Sequence, residues 1–277
     1  MLEYKPKFSP ENYNVPQKAV TEFKFISFLF NFLLITVGLY FFLGLIFDLL
    51  VPTISPAQEK KLWGDLYLRY AVDVKKLDNQ STKAISLQKL VDKLQSHLPE
   101  QQKELKLKVY IKNSNEVNAF AVPGGYIIVL NGLLNKIESE NELAYVLGHE
   151  IGHFAHKDQL KDFGRSFILL FISQAFFGQD NPINKLSNNF FSLSEKRFSQ
   201  SQEIDADLFA LQLLDKTYNH VGGCTDFMQR LQKDSQKESL NDFFSTHPHP
   251  KKRVEIMNKM INEGNYYIGA KSPLSFD

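Results

Sequence analysis

Two histidines four residues apart, with a glutamate directly after the first, stand in the stretch Leu147-Gly148-His149-Glu150-Ile151-Gly152-His153-Phe154. On an α-helix, residues i and i+4 share a face about one turn apart, so His149 and His153 can converge on one tetrahedral zinc. Glu150 then points to the open side of the ion. A carboxylate there can take a proton from water that the metal has made acidic near pH ~7 and hand it to a leaving amine. The spacing H-E-x-x-H also arises by chance in unrelated helices, so its surroundings carry the weight. Ser139 and Glu142 predict a capping box, and Leu143, Val146, Leu147, Ile151 and Phe154 follow as an apolar stripe of helical period. A helix so patterned packs on a core and offers the desolvated setting that a catalytic metal needs.

A third ligand must come from elsewhere in the chain. His156 lies roughly 10 Å along the axis from His149, too far for three side chains of one straight helix to meet at one ion. A histidine six residues after His153 would make a three-histidine site, but that position is Gln159. The better candidate is Glu203, in Ser201-Gln202-Glu203-Ile204-Asp205-Ala206-Asp207-Leu208-Phe209-Ala210. Glu203 and Asp207 share a helix face, and Ala206 and Ala210 would let another helix approach closely. Glu203 would complete a site of two histidines and one glutamate, with Asp207 orienting a ligand from behind. Two acids on one helix face are also what a merely solvated helix shows.

The elements that must position these residues are legible in outline. The tail, residues 1–24, is polar and rich in lysine. Residues 25–51 form an apolar run longer than the roughly 20 residues needed to cross a bilayer, and longer than the core of a cleaved signal peptide. The run predicts a retained single-pass anchor in a lipid bilayer. Lys5, Lys7, Lys18 and Lys24 precede it and Lys60, Lys61 and Arg69 follow, a slight tilt toward a cytoplasmic amino terminus and an extracytoplasmic main domain. That domain is expected over residues 52–265, with a tail at 266–277. Ser55-Pro56 opens a helix through Leu62, Leu66 and Tyr70, in which Trp63 is a packing residue. Leu87, Leu90, Val91, Leu94 and Leu98 mark a second helix, which Pro99 stops. Alternation at Leu105, Leu107, Val109 and Ile111 predicts a strand. Val117–Val122 and Tyr126–Asn131 follow as strands joined by Pro123-Gly124-Gly125. Residues 166–178 read as a buried, lid or interfacial helix too short for a confident second span. Gln179–Asn189 reads as a loop able to move over the site, and Gly222-Gly223 as a helix breaker.

Composition narrows the function. The 277 residues carry a net charge of +1 and no long basic stretch, which argues against nucleic acid as a main partner. The single cysteine, Cys224, excludes an internal disulfide framework and predicts a packing role. His97 and His220 are expected at the surface or in caps. No phosphate loop, nucleophile elbow or Cys-x-x-Cys pair competes with the zinc motif.

The order Asn118-Ala119-Phe120-Ala121-Val122-Pro123-Gly124-Gly125, then His149 to His153, then Glu203-x-x-x-Asp207, then Thr246-His247-Pro248 with Arg253 behind it, resembles the M48 family of zinc metallopeptidases. The resemblance covers residues 55–262. It implies an α+β fold, a mostly α-helical zincin-like domain around a small antiparallel or mixed sheet, preceded by one transmembrane helix. It implies one Zn²⁺ per chain on His149, His153 and Glu203, with Glu150 as the catalytic acid–base group and Asp207 behind the ligands. His247, or its neighbour His249, would face the metal and either steady the oxyanion or cover the site at rest. Asn118, Ala119 and Phe120 would bind substrate backbone as an added strand. The implied activity is hydrolysis of peptide bonds in misfolded, membrane or envelope proteins on the periplasmic side of a bacterial inner membrane; self-association is left open. The competing reading is a zinc-stabilised chaperone or scaffold that cuts little or nothing.

Overall fold

In the computed structural model, the described residues are 17–61, 77–104, 106–178, 198–233 and 246–276. The expected helix opens as read, with Ser55 capping Pro56–Glu59, while its continuation through Leu62, Leu66 and Tyr70, with Trp63, and the loop Gln179–Asn189 lie outside them. The chain divides into two units, Met1–Ile46 and Phe47–Asp277.

The apolar run forms helix α1, Gln17–Leu50. It starts eight residues before the predicted span, because after Pro16 nothing in the polar tail opposes a helix. Thr21–Thr53 is long and apolar enough to cross a membrane, and no other described stretch is. Large apolar side chains from Phe23 and Phe25 to Leu49 and Leu50 are exposed along it, which a helix buried in a protein core would not allow.

The second unit is built on a four-stranded mixed sheet in the order β1-β2-β4-β3, where β1 is Leu77–Asp78, β2 Lys108–Lys112, β3 Ala119–Val122 and β4 Tyr126–Leu130. β2 pairs in parallel with β4, and the other two pairings are antiparallel. Every residue of β4 is buried, as a central strand of apolar residues should be. β3 lies at the sheet's edge, opposing Ile128 with Phe120 and Ile127 with Ala121. Gly124 and Gly125 turn the chain between them at φ +94° and +85°, a conformation open to glycine and strained for other residues. At the other side, Gln88 and Gln95 of helix α2, Thr82–Gln95, bond the backbone of Leu107 and Val109 in place of a longer partner strand. The expected strand therefore begins at Lys108, and Leu105 lies outside the described residues.

Among the described residues, five further helices of at least two turns pack around the sheet: α3 Glu140–Ala155, α4 Asp158–Phe177, α5 Gln200–Tyr218, α6 Asp226–Lys233 and α7 Pro250–Glu263. α3 is the hub, buried from Asn141 to Phe154. Its Ser139 cap accepts from the Glu142 N–H, but the reciprocal half of the expected capping box is absent. The Glu142 carboxylate instead takes the Glu138 N–H and both arms of Arg230 from α6. α3 and α5 cross at Gly148 and Gly152, where Ala210 and Ala206 lie close enough that a Cβ at 152 would stand 3.0 Å from the Ala206 Cα. α4 is an amphipathic surface helix: Ile172 and Ser173 are buried, while Phe171 and Phe176 are exposed. Gly223, at φ +92°, breaks the chain between α5 and α6, and Cys224 is buried in the core with burial pushing its thiol up to about 12.

Residues 266–276 lie as a strap across the start of α3. The Ser272 carbonyl accepts from the Glu140 N–H, the Ser272 N–H donates to Asn141, and Tyr267 accepts from the Val221 N–H. Lys271 pairs with Asp226 at 2.6 Å.

Candidate metal centre

α3 places His149 and His153 one turn apart, and α5 brings Glu203 to them from across the Gly152–Ala206 crossing. The Nε2 atoms of the two histidines are 3.1 Å apart, and the Glu203 carboxylate oxygens lie 3.5 Å from His149 Nε2 and 3.4 Å from His153 Nε2. A tetrahedral zinc with bonds of 2.0–2.1 Å requires donor atoms about 3.3 Å apart. The three predicted ligands therefore fit zinc by donor type and by spacing. His247 joins them, its Nδ1 3.1 Å from Glu203 and 3.4 Å from His149 Nε2. One ligand atom from each of the four buried residues falls within 4.8 Å of all the others. Of the two candidate histidines after Thr246, it is His247 that faces the site. His249 is exposed and begins α7 in a left-handed conformation, φ +61°.

Behind the ligands is a buried ionic network. Asp207, one turn along α5 from Glu203, accepts from His149 Nδ1 at 2.9 Å and from the Tyr145 hydroxyl at 2.9 Å. Arg253 of α7, 1% exposed, forks onto Asp207 at 2.7 and 2.6 Å and also pairs with Glu203. Burial opposes the charge on Asp207, but Arg253 and His149 hold its carboxyl well below the usual range. Glu203 is likewise held low against burial, first by the charge of His247 and then by the hydrogen bonds of His149 and His153. Burial by itself would lower His149, yet the bonds to Asp207 and Glu203 raise it to about 9. His153 is oriented from the other side by Asp158, 3.0 Å from its Nδ1.

Glu150, the residue between the two histidines, is buried and accepts the backbone N–H of Ala121 in β3 at 2.9 Å. Its other oxygen lies 3.7 Å from His247 Nε2. Asn118 adjoins the strand and bends its side chain onto the Ala119 N–H, while its amide reaches Thr246. The site thus brings together His149, Glu150, His153, Glu203, Asp207, His247 and the Asn118-Ala119-Phe120 segment. His156, exposed at the end of α3, stays outside it, as do His97, which meets the Lys93 carbonyl and the Thr217 hydroxyl, and His220, which accepts the Gly222 N–H.

Tyr145, Asp158, Gln159 and Phe198 enter the site without having been singled out for it. Asp158 is reached because Lys157 takes a left-handed turn, φ +58°, that folds the start of α4 back onto His153. Phe198 stacks on the His153 ring at 3.9 Å, and its N–H donates to the Thr246 carbonyl. Neither carries a periodic signal. Tyr145 could have been found by its place one turn before His149 on the buried face.

The model of peptidase family M48 matches residues 81–261 of the 277. Mitochondrial metalloendopeptidase OMA1 of Arabidopsis thaliana is 33% identical over 151 residues, 54% of this chain and 30% of that protein. Metalloprotease YcaL of Escherichia coli is 26% identical over 162 residues, 57% of this chain and 62% of that protein. The beta-barrel assembly-enhancing protease of Escherichia coli is 24% identical over 223 residues, 76% of this chain and 45% of that protein. The chain thus spans between about a third and three fifths of the length of these relatives.

Proposed function

The chain belongs to peptidase family M48, and from that premise we propose that it is a membrane-anchored zinc endopeptidase that hydrolyses peptide bonds of polypeptides bound in extended form. One observation carries the reading: four buried ligand residues gathered within 4.8 Å, with Glu150 beside them and hydrogen-bonded to the edge strand β3. His149, His153 and Glu203 would hold zinc, with His247 as the covering residue. When bound, zinc supplies Lewis acidity, polarising a peptide carbonyl and making water acidic near neutral pH. The protein's own groups do the rest. Glu150 accepts the proton of the attacking water and delivers it to the leaving amine. Once Asn118 and Glu150 release the Ala119 and Ala121 N–H groups, the outer edge of β3 aligns the substrate backbone as an added strand. His247 Nε2, on the Glu150 side, donates toward the developing oxyanion. Asp207, Tyr145 and Arg253 keep His149 and Glu203 aimed at one point.

Glu150→Gln tests the reading. The variant should bind zinc like the wild type and cut casein at least a hundredfold more slowly. Undiminished turnover would remove Glu150 from its role. A wild type that holds zinc and suppresses aggregation of unfolded proteins but cuts none would be a scaffold instead.

Helix α1 supports the anchor. The chain should stay with membranes through an alkaline carbonate wash and leave them only in detergent. Protease protection in sealed vesicles should place the metal centre on the extracytoplasmic side; digestion from the cytoplasmic face alone would reverse that assignment.

A further inference from the structure

Beside the metal ligands lies a slot of about 20 Å³ lined by Asn118, Ala119, Phe120 and Ala121 on the β3 side and by Gln159, Phe198, Thr246 and His247. Gln159, the second residue of α4, is 6% exposed, and its Nε2 has no hydrogen-bond partner among the described residues. A buried amide left unpaired forfeits its hydration with nothing in return, and such a group in a native fold calls for an explanation. The other polar side chains and the outward N–H groups around the slot are engaged: Asn118 with Thr246 and the Ala119 N–H, the Ala121 N–H with Glu150, His247 with Glu203. Gln159 is the exception, and it faces the space into which an added strand beside β3 would come.

An extended peptide has two edges. One can pair with β3; the carbonyls on its other edge enter a dehydrated cleft and need donors of their own. We propose that Gln159 is a substrate-binding residue whose side-chain amide donates to a backbone carbonyl on the substrate edge that β3 leaves unpaired. The inference rests on the endopeptidase reading and extends it to a named residue. Because it addresses backbone, it predicts affinity without side-chain preference. The present slot has room for one water at most, so peptide admission requires Phe198 and the Thr246–His247 segment to withdraw, which brings the substrate carbonyl to the unpaired amide.

The test uses the full chain in detergent with zinc bound, and the variant Gln159→Leu, which keeps the volume and removes the donor. With a set of casein-derived peptides, KM should rise about tenfold at all cleaved sites, kcat should stay within twofold, and the order of site preference should be unchanged. Zinc content should match the wild type, and the melting temperature should be equal or higher, since an orphaned polar group has been removed. An unchanged KM, or a changed site preference at unchanged KM, overturns the proposal. So does a lower melting temperature with unaltered KM, the mark of a Gln159 that merely holds a structural water. To separate this from the endopeptidase reading, fluorescein-labelled casein peptides are titrated onto Glu150→Gln and onto the Glu150→Gln, Gln159→Leu double variant. Tenfold weaker binding by the double variant sustains the site even if the wild type were to cut nothing; equal binding, or none by either, overturns it.

Discussion

Arg253 decides how the ligand set can exist before metal arrives. Two buried carboxylates, Glu203 and Asp207, would repel each other and resist burial; a guanidinium forked onto one and paired with the other makes the pair tolerable. Removing one partner from such a buried network costs about 3–5 kcal/mol, because the remaining charges stay behind unpaired. Arg253→Ala should therefore lower the stability of the zinc-free protein by that order and weaken zinc binding more than tenfold. Denaturant unfolding and chelator competition would measure the two effects. Arg253→Lys should recover only part of either, since an ammonium cannot span both carboxylates. Glu59 poses the opposite case. It is buried, gives one oxygen to the Gly124 N–H, and leaves the other without a partner among the described residues. Burial raises its pKa above the ordinary 4.5. The folded state then holds the proton more tightly than the unfolded chain, so stability is lost as pH rises from 4.5 through the raised value. Glu59→Gln should melt higher than the wild type at pH 7 and lose that advantage when the pH falls below about 4, as thermal unfolding across a pH series would show.

At the level of elements, the crossing of α3 and α5 brings His149 and His153 to Glu203, and it is set by glycines. Replacing a helical glycine by alanine gains about 1 kcal/mol in propensity, but at Gly152 the new methyl would meet backbone, 3.0 Å from the Ala206 Cα and 3.1 Å from its carbonyl oxygen. Overpacking of this kind costs about 1–3 kcal/mol, so crowding wins. Gly152→Ala should be destabilised and bind zinc more weakly, whereas Gly148→Ala, 3.3 Å from the nearest atom, should fall close to neutral in both. Denaturant midpoints with and without zinc check the contrast. The same crossing explains what was readable in sequence. The histidine pair, Glu203, Asp207 and the small Ala206 and Ala210 all follow helical period, so their meeting could be anticipated. The capping box at Ser139 was half wrong because a distant residue, Arg230, outbids the local bond for Glu142. Asp158 and Phe198 could not be anticipated, since a left-handed lysine and a ring stacked across 45 positions obey no repeat. Helix α1 runs on before the apolar stretch because apolar content, not helix formation, sets a span's apparent edge.

On the scale of the whole molecule, the outer edge of β3, where Ala119 and Ala121 are 1% exposed, carries a wider meaning. A bare strand edge is sticky toward any other strand, including that of a neighbouring copy. Here the chain stoppers its own rim: Asn118 folds over the Ala119 N–H and Glu150 occupies that of Ala121. On the proposed reading, the group that moves the proton is thus also a bung, which a guest strand has to displace. Glu150→Gln keeps an acceptor and the bung, while Glu150→Ala loses both. Sedimentation of the two in detergent should find the alanine variant alone drifting into larger assemblies, and equal behaviour would deny Glu150 this second duty. As the membrane-anchored protease proposed above, crowded by its own kind in the plane of a bilayer, the chain would have reason to keep such an edge shut until prey arrives.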